Sequence, residues 1–186
     1  MRIISGTARG RQLGNFSGAG IRPTPDRVRE ALFSILTSKL GSFHGVKVLE
    51  LFAGSGAQSL EAVSRGAQSA TVVDSSSQST KLIEENSKRC KFETQIHILK
   101  QDVFSALPLL KKKAPFDLIL LDPPYNQQLI PRCLEQIENL QLLSEDGIIC
   151  AESASTEEIS DCGRLTVIDS RKYGSSTIHL LSWNED

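Results

Sequence analysis

The chain has 186 residues, 39% hydrophobic and 23% charged, and its 21 basic and 22 acidic side chains leave a net charge of −1. That length suits one ordinary domain, and the apolar fraction is high enough to offset chain entropy on folding, which excludes intrinsic disorder and a fibrous repeat. No window approaches the ~18 consecutive apolar residues of a membrane span, and the first fourteen residues lack the apolar centre of a secretory leader. A cytoplasmic protein with no membrane partner is therefore expected. Cys90, Cys133, Cys150 and Cys162 are widely spaced, with no CxxC pair and only three histidines in the chain, which predicts reduced thiols and no metal site.

In chain order, Arg2 to Ser5 and Arg11 to Leu13 flank a Gly-rich turn and predict a small hairpin, followed by a stretch to Gly20. A helix comes next: Thr24 suits its cap, Pro25 its first position, and Val28, Ala31, Leu32, Ile35 and Leu36 fall on one face. Residues 1–30 carry Arg2, Arg9, Arg11, Arg22, Arg27 and Arg29 against Asp26 and Glu30. That is a local charge of +4 (six minus two), which leaves −5 for the rest of the chain. A near-neutral chain cannot coat nucleic acid through overall charge. A cluster made only of arginine, the planar donor suited to phosphate, can still mark an RNA contact, although a solvated face with ion pairs explains it equally well.

From residue 46 onward, short apolar runs alternate with amphipathic stretches, the pattern of a parallel sheet with crossover helices. Strands are predicted at Val46 to Phe52, Ala70 to Asp74, Ile96 to Leu99, Phe116 to Asp122 and Gly147 to Glu152. Helices are predicted near 57–65, 76–91, 103–111 and 127–141, with Ser75 and Asp102 as caps of two of them. Leu165 to Ser170 and Thr177 to Trp183 are joined through too few residues for a crossover helix, so they predict a closing antiparallel hairpin. The result is an α/β, doubly wound Rossmann-like sheet in a single domain over 1–186, with residues 1–40 as a hairpin-and-helix extension and 41–186 as the core.

Three places could carry chemistry. The first strand runs into Glu50-Leu51-Phe52-Ala53-Gly54-Ser55-Gly56 just before a helix, where glycines let backbone approach a ligand and expose amides at a helix N-terminus. A lone GxG is weak, and Ser59 stands where the dinucleotide fingerprint wants its third glycine. Asp74 then ends the second strand, 20 residues after Gly54, where an acidic residue suits ribose hydroxyls. Asp102 with Val103 follows the third strand, suited to an adenine edge, although a helix cap is the commoner fate of such an Asp. Taken together these favour a cofactor with an adenosine half. The most informative segment is Asp122-Pro123-Pro124-Tyr125, directly after an apolar strand. Two prolines fix the loop extended and remove two donors, so a carboxylate and a bare carbonyl can accept both hydrogens of an exocyclic amine, while Tyr125 offers a face to a flipped base.

These motifs resemble the class I S-adenosylmethionine-dependent methyltransferases with a (D/N)PP(Y/F) loop. With Arg2 to Gly6, Arg9 to Arg11, Arg22 to Glu30, Leu51 to Gly56 and Asp122 to Tyr125 in this order, the chain resembles the RsmD-type 16S ribosomal RNA guanine-N2 methyltransferases over almost its whole length. The resemblance implies S-adenosyl-L-methionine as cofactor and N2-methylguanosine as product. It implies 16S RNA within an assembled or assembling small subunit as partner, and a monomer is expected. Glu50, Phe52, Ala53, Gly54 and Gly56 would form the methionine side of the pocket, Asp74 would hold the ribose, and Asp102 with Val103 the adenine. Thr24 and its neighbours would fold over the cofactor, Asp122, Pro123, Pro124 and Tyr125 would be catalytic, and Arg2, Arg9, Arg11, Arg22 and Arg27 would meet RNA. Lys111 to Lys113, Arg164, Arg171 and Lys172 are further candidate contacts. Asp74 departs from the family, whose members usually carry the longer Glu there.

Three other readings compete. The catalytic loop also suits N6-adenine methylation of DNA or RNA, against which stand the Arg22 to Glu30 segment and the lack of an appended target-recognition domain. A non-catalytic RNA-binding assembly protein would not need the intact Asp122 to Tyr125 loop. A nicotinamide-dependent dehydrogenase would rest on the GxG turn alone.

Overall fold

A computed structural model describes residues 1–16 and 26–184. Among the described residues, seven strands form one sheet in the order β3-β2-β1-β4-β5-β7-β6. The core alternates β1 (Lys47–Leu51), α2 (Ala57–Ser64), β2 (Ser69–Asp74), α3 (Ser77–Cys90), β3 (Ile96–Lys100), α4 (Val103–Leu110), β4 (Phe116–Leu121), α5 (Leu129–Leu140) and β5 (Leu143–Ala154), preceded by α1 (Asp26–Leu40). The hairpin β6 (Leu165–Tyr173) and β7 (Ser176–Trp183) closes the sheet, with β7 antiparallel to β5. Because β1 lies between β2 and β4, the strand order reverses there and opens a crevice beyond the strands' carboxyl ends.

Of the apolar runs predicted as strands, those of β1, β2, β4 and the later part of β5 are buried on both faces, whereas the edge strand β3 buries only Ile96. Val48, Val72, Leu118, Leu120 and Cys150 pack in one core layer with Leu60 of α2 and Ile83 of α3. Their strand neighbours Leu49, Val73, Ile119, Leu121 and Ile149 pack on the other face with Leu107 of α4 and Leu134 of α5. Successive side chains point to opposite faces, so two buried faces require a continuous apolar run.

Several boundaries differ from expectation. β5 starts at Leu143, earlier than predicted, because Leu143 pairs with Phe116 and a register shift accommodates Ser144 to Gly147 before Ile148 meets Leu118. The N-terminal hairpin reduces to one bridge, Arg2 with Gln12, flanked by Ile3 N–H to the Arg11 carbonyl (3.0 Å) and Gly10 N–H to the Ile3 carbonyl (2.9 Å). It is held mainly by α2: the buried Glu61 carboxylate accepts Ile4 N–H at 2.7 Å and Ser5 N–H at 3.0 Å. The cap of α3 is Ser76, not Ser75. Ser76 is extended and its hydroxyl accepts Gln78 and Ser79 N–H, whereas Ser75 sits one residue too early to reach them. The predicted cap and first residue of α1, Thr24 and Pro25, lie outside the described residues.

Candidate active site

The glycine turn after β1 is built as its residue types demand. Gly54 and Gly56 adopt φ of 54° and 70°, and Phe52 is held at φ 60°, a conformation rare for a bulky side chain and common where a site imposes strain. Gly56 starts α2 with no side-chain cap. Glu50 supplies the partner instead, its carboxylate accepting Ser59 N–H at 3.0 Å from inside the core. Asp74 ties the turn to β2, with one oxygen accepting Gly54 N–H and the other Ser76 N–H, both at 2.8 Å. The expected spacing of acid and glycine is thus a direct contact, and the remaining lone pairs of Asp74 are available to hydroxyls.

Asp102 caps α4, accepting Ser105 N–H at 3.0 Å through one oxygen. Asp102 thus serves as a helix cap, and its second oxygen is left for a ligand. The Val103 side chain packs into the core, so only its backbone can face an adenine. Beside it, Arg132 of α5 lies over the Phe104 ring at 4.1 Å.

Asp122 leaves β4 where Leu121 pairs with Ala151, which brings it alongside Glu152 of β5 and near Glu50 of β1. Burial first, then the charges of Glu152 and Glu50, push the Asp122 carboxyl up to about 8. Burial likewise raises Glu50 to about 7 against the opposing Ser59 hydrogen bond. Among the described residues no lysine or arginine pairs with these three acids. A cluster of desolvated carboxylates without a counter-ion is prepared for a cationic ligand. In the loop Pro123 is buried and Pro124 exposed. Tyr125 keeps 38% of its surface exposed while its hydroxyl donates to Glu152 Oε1 at 2.8 Å.

The profile of the family described as Conserved hypothetical protein 95 matches residues 1–182. YlbH of Bacillus subtilis (strain 168) is 35% identical over 182 residues, covering 97% of each chain. Ribosomal RNA small subunit methyltransferase D of Escherichia coli (strain K12) is 33% identical over 153 residues, 82% of this chain and 74% of its own. The chain belongs to the RsmD-type methyltransferase family. A solved structure of a hypothetical protein from Thermus thermophilus superposes with a TM-score of 0.84 at 27% identity, over 98% of this chain and 99% of that one.

In this RsmD-type chain the arginine cluster divides. Arg9, Arg11 and Arg27 are exposed; Arg2 is exposed as well and pairs with Asp26 at 3.5 Å. Arg29, by contrast, is buried, donating to the Arg2 carbonyl and to Asp26, so its charge serves the packing of α1. Arg22 and Thr24 lie outside the described residues. Of the further cations, Arg171 and Lys172 share the site's end of the sheet, because Tyr173 and Ala154 both pair with Ser176. Lys111 to Lys113 precede β4, and Arg164 stacks on Trp183, whose indole donates to Ser144 at the start of β5. Both groups therefore lie at the opposite end. Sequence reasoning missed Glu152 and Glu157, the latter accepting Asn126 N–H at 2.9 Å and Ala154 N–H at 3.1 Å. An acid inside the apolar run Gly147 to Glu152 was the available signal. It also missed Phe16, whose ring lies 3.9 Å from where a Gly54 Cβ would stand, and Asn86, which joins Gly14 to the Ser55 carbonyl.

Proposed function

We propose that the protein transfers a methyl group from S-adenosyl-L-methionine to the exocyclic N2 amine of a guanine in 16S ribosomal RNA, within an assembled or assembling small subunit. The observation that carries this reading is the unpaired carboxylate cluster Glu50, Asp122 and Glu152 at the strand ends, next to the glycine turn and the Asp122 to Tyr125 loop. The name of the Escherichia coli relative supports ribosomal RNA of the small subunit as substrate. Glu50 and the turn from Phe52 to Gly56 would hold the methionine end, Asp74 the ribose and Asp102 with Val103 the adenine. The cofactor supplies an electrophilic methyl on a sulfonium, and its positive charge matches the acids facing it.

Guanine N2 is a weak nucleophile because its lone pair is delocalised into the ring. Hydrogen bonds from the amine to the Asp122 carboxylate and the Pro123 carbonyl favour the pyramidal form with a localised pair. The same acceptors stabilise positive charge as nitrogen attacks, an interaction that strengthens toward the transition state. One N–C bond forms as the C–S bond breaks, and the surplus N–H proton passes to Asp122, whose raised proton affinity suits it to accept and later release it. Tyr125 would stack on the flipped base and align amine and methyl.

The test is incubation with labelled S-adenosylmethionine and small subunits lacking the modification, beside free 16S RNA and DNA, with mass spectrometry of the nucleosides. N2-methylguanosine in subunit RNA is the expected product. Label on adenine N6 would overturn the base assignment, and no transfer despite cofactor binding would favour a non-catalytic RNA-binding role.

A further inference from the structure

The loop that carries the proposed chemistry has little to hold it by itself. Its two prolines have no N–H, and Asn126 and Gln128 both adopt positive φ (61° and 54°), a costly conformation for side-chain-bearing residues unless their surroundings impose it. Two carboxylates from β5 and the turn after it supply that restraint. Glu152, only 8% exposed, accepts the Tyr125 hydroxyl at 2.8 Å. Glu157 bridges strand and loop by accepting Ala154 N–H at 3.1 Å and Asn126 N–H at 2.9 Å. Hydrogen bonds to carboxylate acceptors are the stronger kind, and that of Glu152 is partly buried. We infer that Glu152 and Glu157 form a clamp that sets the Asp122 to Tyr125 loop, with Glu152 the positioning residue that anchors the far end of the Tyr125 ring through its hydroxyl. The inference rests on that loop methylating an amine. Glu152 touches no reacting atom in this arrangement; it acts through the ring on which the base stacks, while its charge acts on Asp122.

Two kinds of measurement separate this role from simple loss of structure. Amide hydrogen exchange needs no activity: Glu152→Ala should speed exchange across residues 125–128 and leave the core strands protected, and Glu157→Ala should do the same at Asn126. In methyl transfer, Glu152→Ala and Tyr125→Phe should each lower kcat roughly tenfold to a hundredfold, and Tyr125→Phe, which leaves all three acids in place, should keep the cofactor Kd within about twofold of wild type. The double variant should be no worse than the poorer single one, since both remove the same bond. Glu152→Gln keeps an acceptor for the hydroxyl and should recover most of the rate. Because it removes a negative neighbour of Asp122, it should also move the acid limb of the pH profile to lower pH. Unchanged exchange at 125–128 in Glu152→Ala, or additive losses in the double variant, would overturn the clamp. Wild-type protein that transfers no methyl group would instead sink the proposed function, and the exchange result would still decide the clamp.

Discussion

Binding a cation beside Glu50 and Asp122 should expel protons, and the amount follows from the site. With Asp122 raised to about 8 and Glu50 to about 7, about three-quarters of the Asp122 carboxyls and about a quarter of the Glu50 carboxyls carry a proton at pH 7.5, together about one proton per molecule. A sulfonium and an ammonium brought against these groups favour their charged forms and pull both values down. Titration calorimetry with S-adenosylmethionine at pH 7.5, in buffers of low and high ionisation enthalpy such as phosphate and Tris, reads the number released as a slope. About one proton is expected for the wild type and about a quarter for Asp122→Asn, which has no carboxyl there to titrate. S-adenosylhomocysteine, which keeps the ammonium and lacks the sulfonium, should release less than S-adenosylmethionine. A wild-type slope indistinguishable from zero would refute the claim that burial and mutual repulsion hold these acids partly protonated before the cofactor binds.

The same desolvation makes Asp122 a stability cost in the unliganded protein. A carboxyl raised to about 8 stabilises the fold in its protonated form, a contribution fully present below the ordinary carboxylate range and lost as pH rises through about 8. Asp122→Asn should therefore raise Tm by several degrees at pH 9 and by progressively less toward pH 4, where the carboxyl takes up its proton in the unfolded as in the folded chain; thermal melts with equal shifts at pH 9 and pH 4 would contradict this. Gly6→Ala should cost about 2 kcal/mol or more, because a Cβ there would stand 1.7 Å from the Ser64 carbonyl oxygen at a φ of +83°. Denaturant unfolding would register the loss, and limited proteolysis should find the undocked hairpin. Replacing Arg9 and Arg11 together with alanine should weaken RNA binding and reduce the slope of log affinity against log salt by up to about 2 if both meet phosphates. A slope unchanged from wild type would remove this hairpin from the RNA interface.

What the sequence determined by itself was local or periodic. Unbroken apolar runs identify strands buried on both faces, and the step from Phe52 to Gly56 into a helix needs only neighbouring residues to be recognised. The 20-residue spacing from Gly54 to Asp74 corresponds to a real contact because one crossover separates two adjacent parallel strands. The Asp122 to Tyr125 loop is legible for the same reason, since two prolines dictate its backbone wherever it lies. Tertiary structure alone decided which charges are buried and which acids meet. Arg29 looks like its exposed neighbours along the chain and is buried because it packs between the hairpin and α1. Glu152 lies 27 residues from Tyr125 and reaches it only because β5 is laid beside β4. Glu50, Asp122 and Glu152 lie far apart in sequence, yet Coulomb interaction and desolvation depend on separation and burial in space. Assembly of the sheet therefore turns three ordinary acids into a site prepared for a cation.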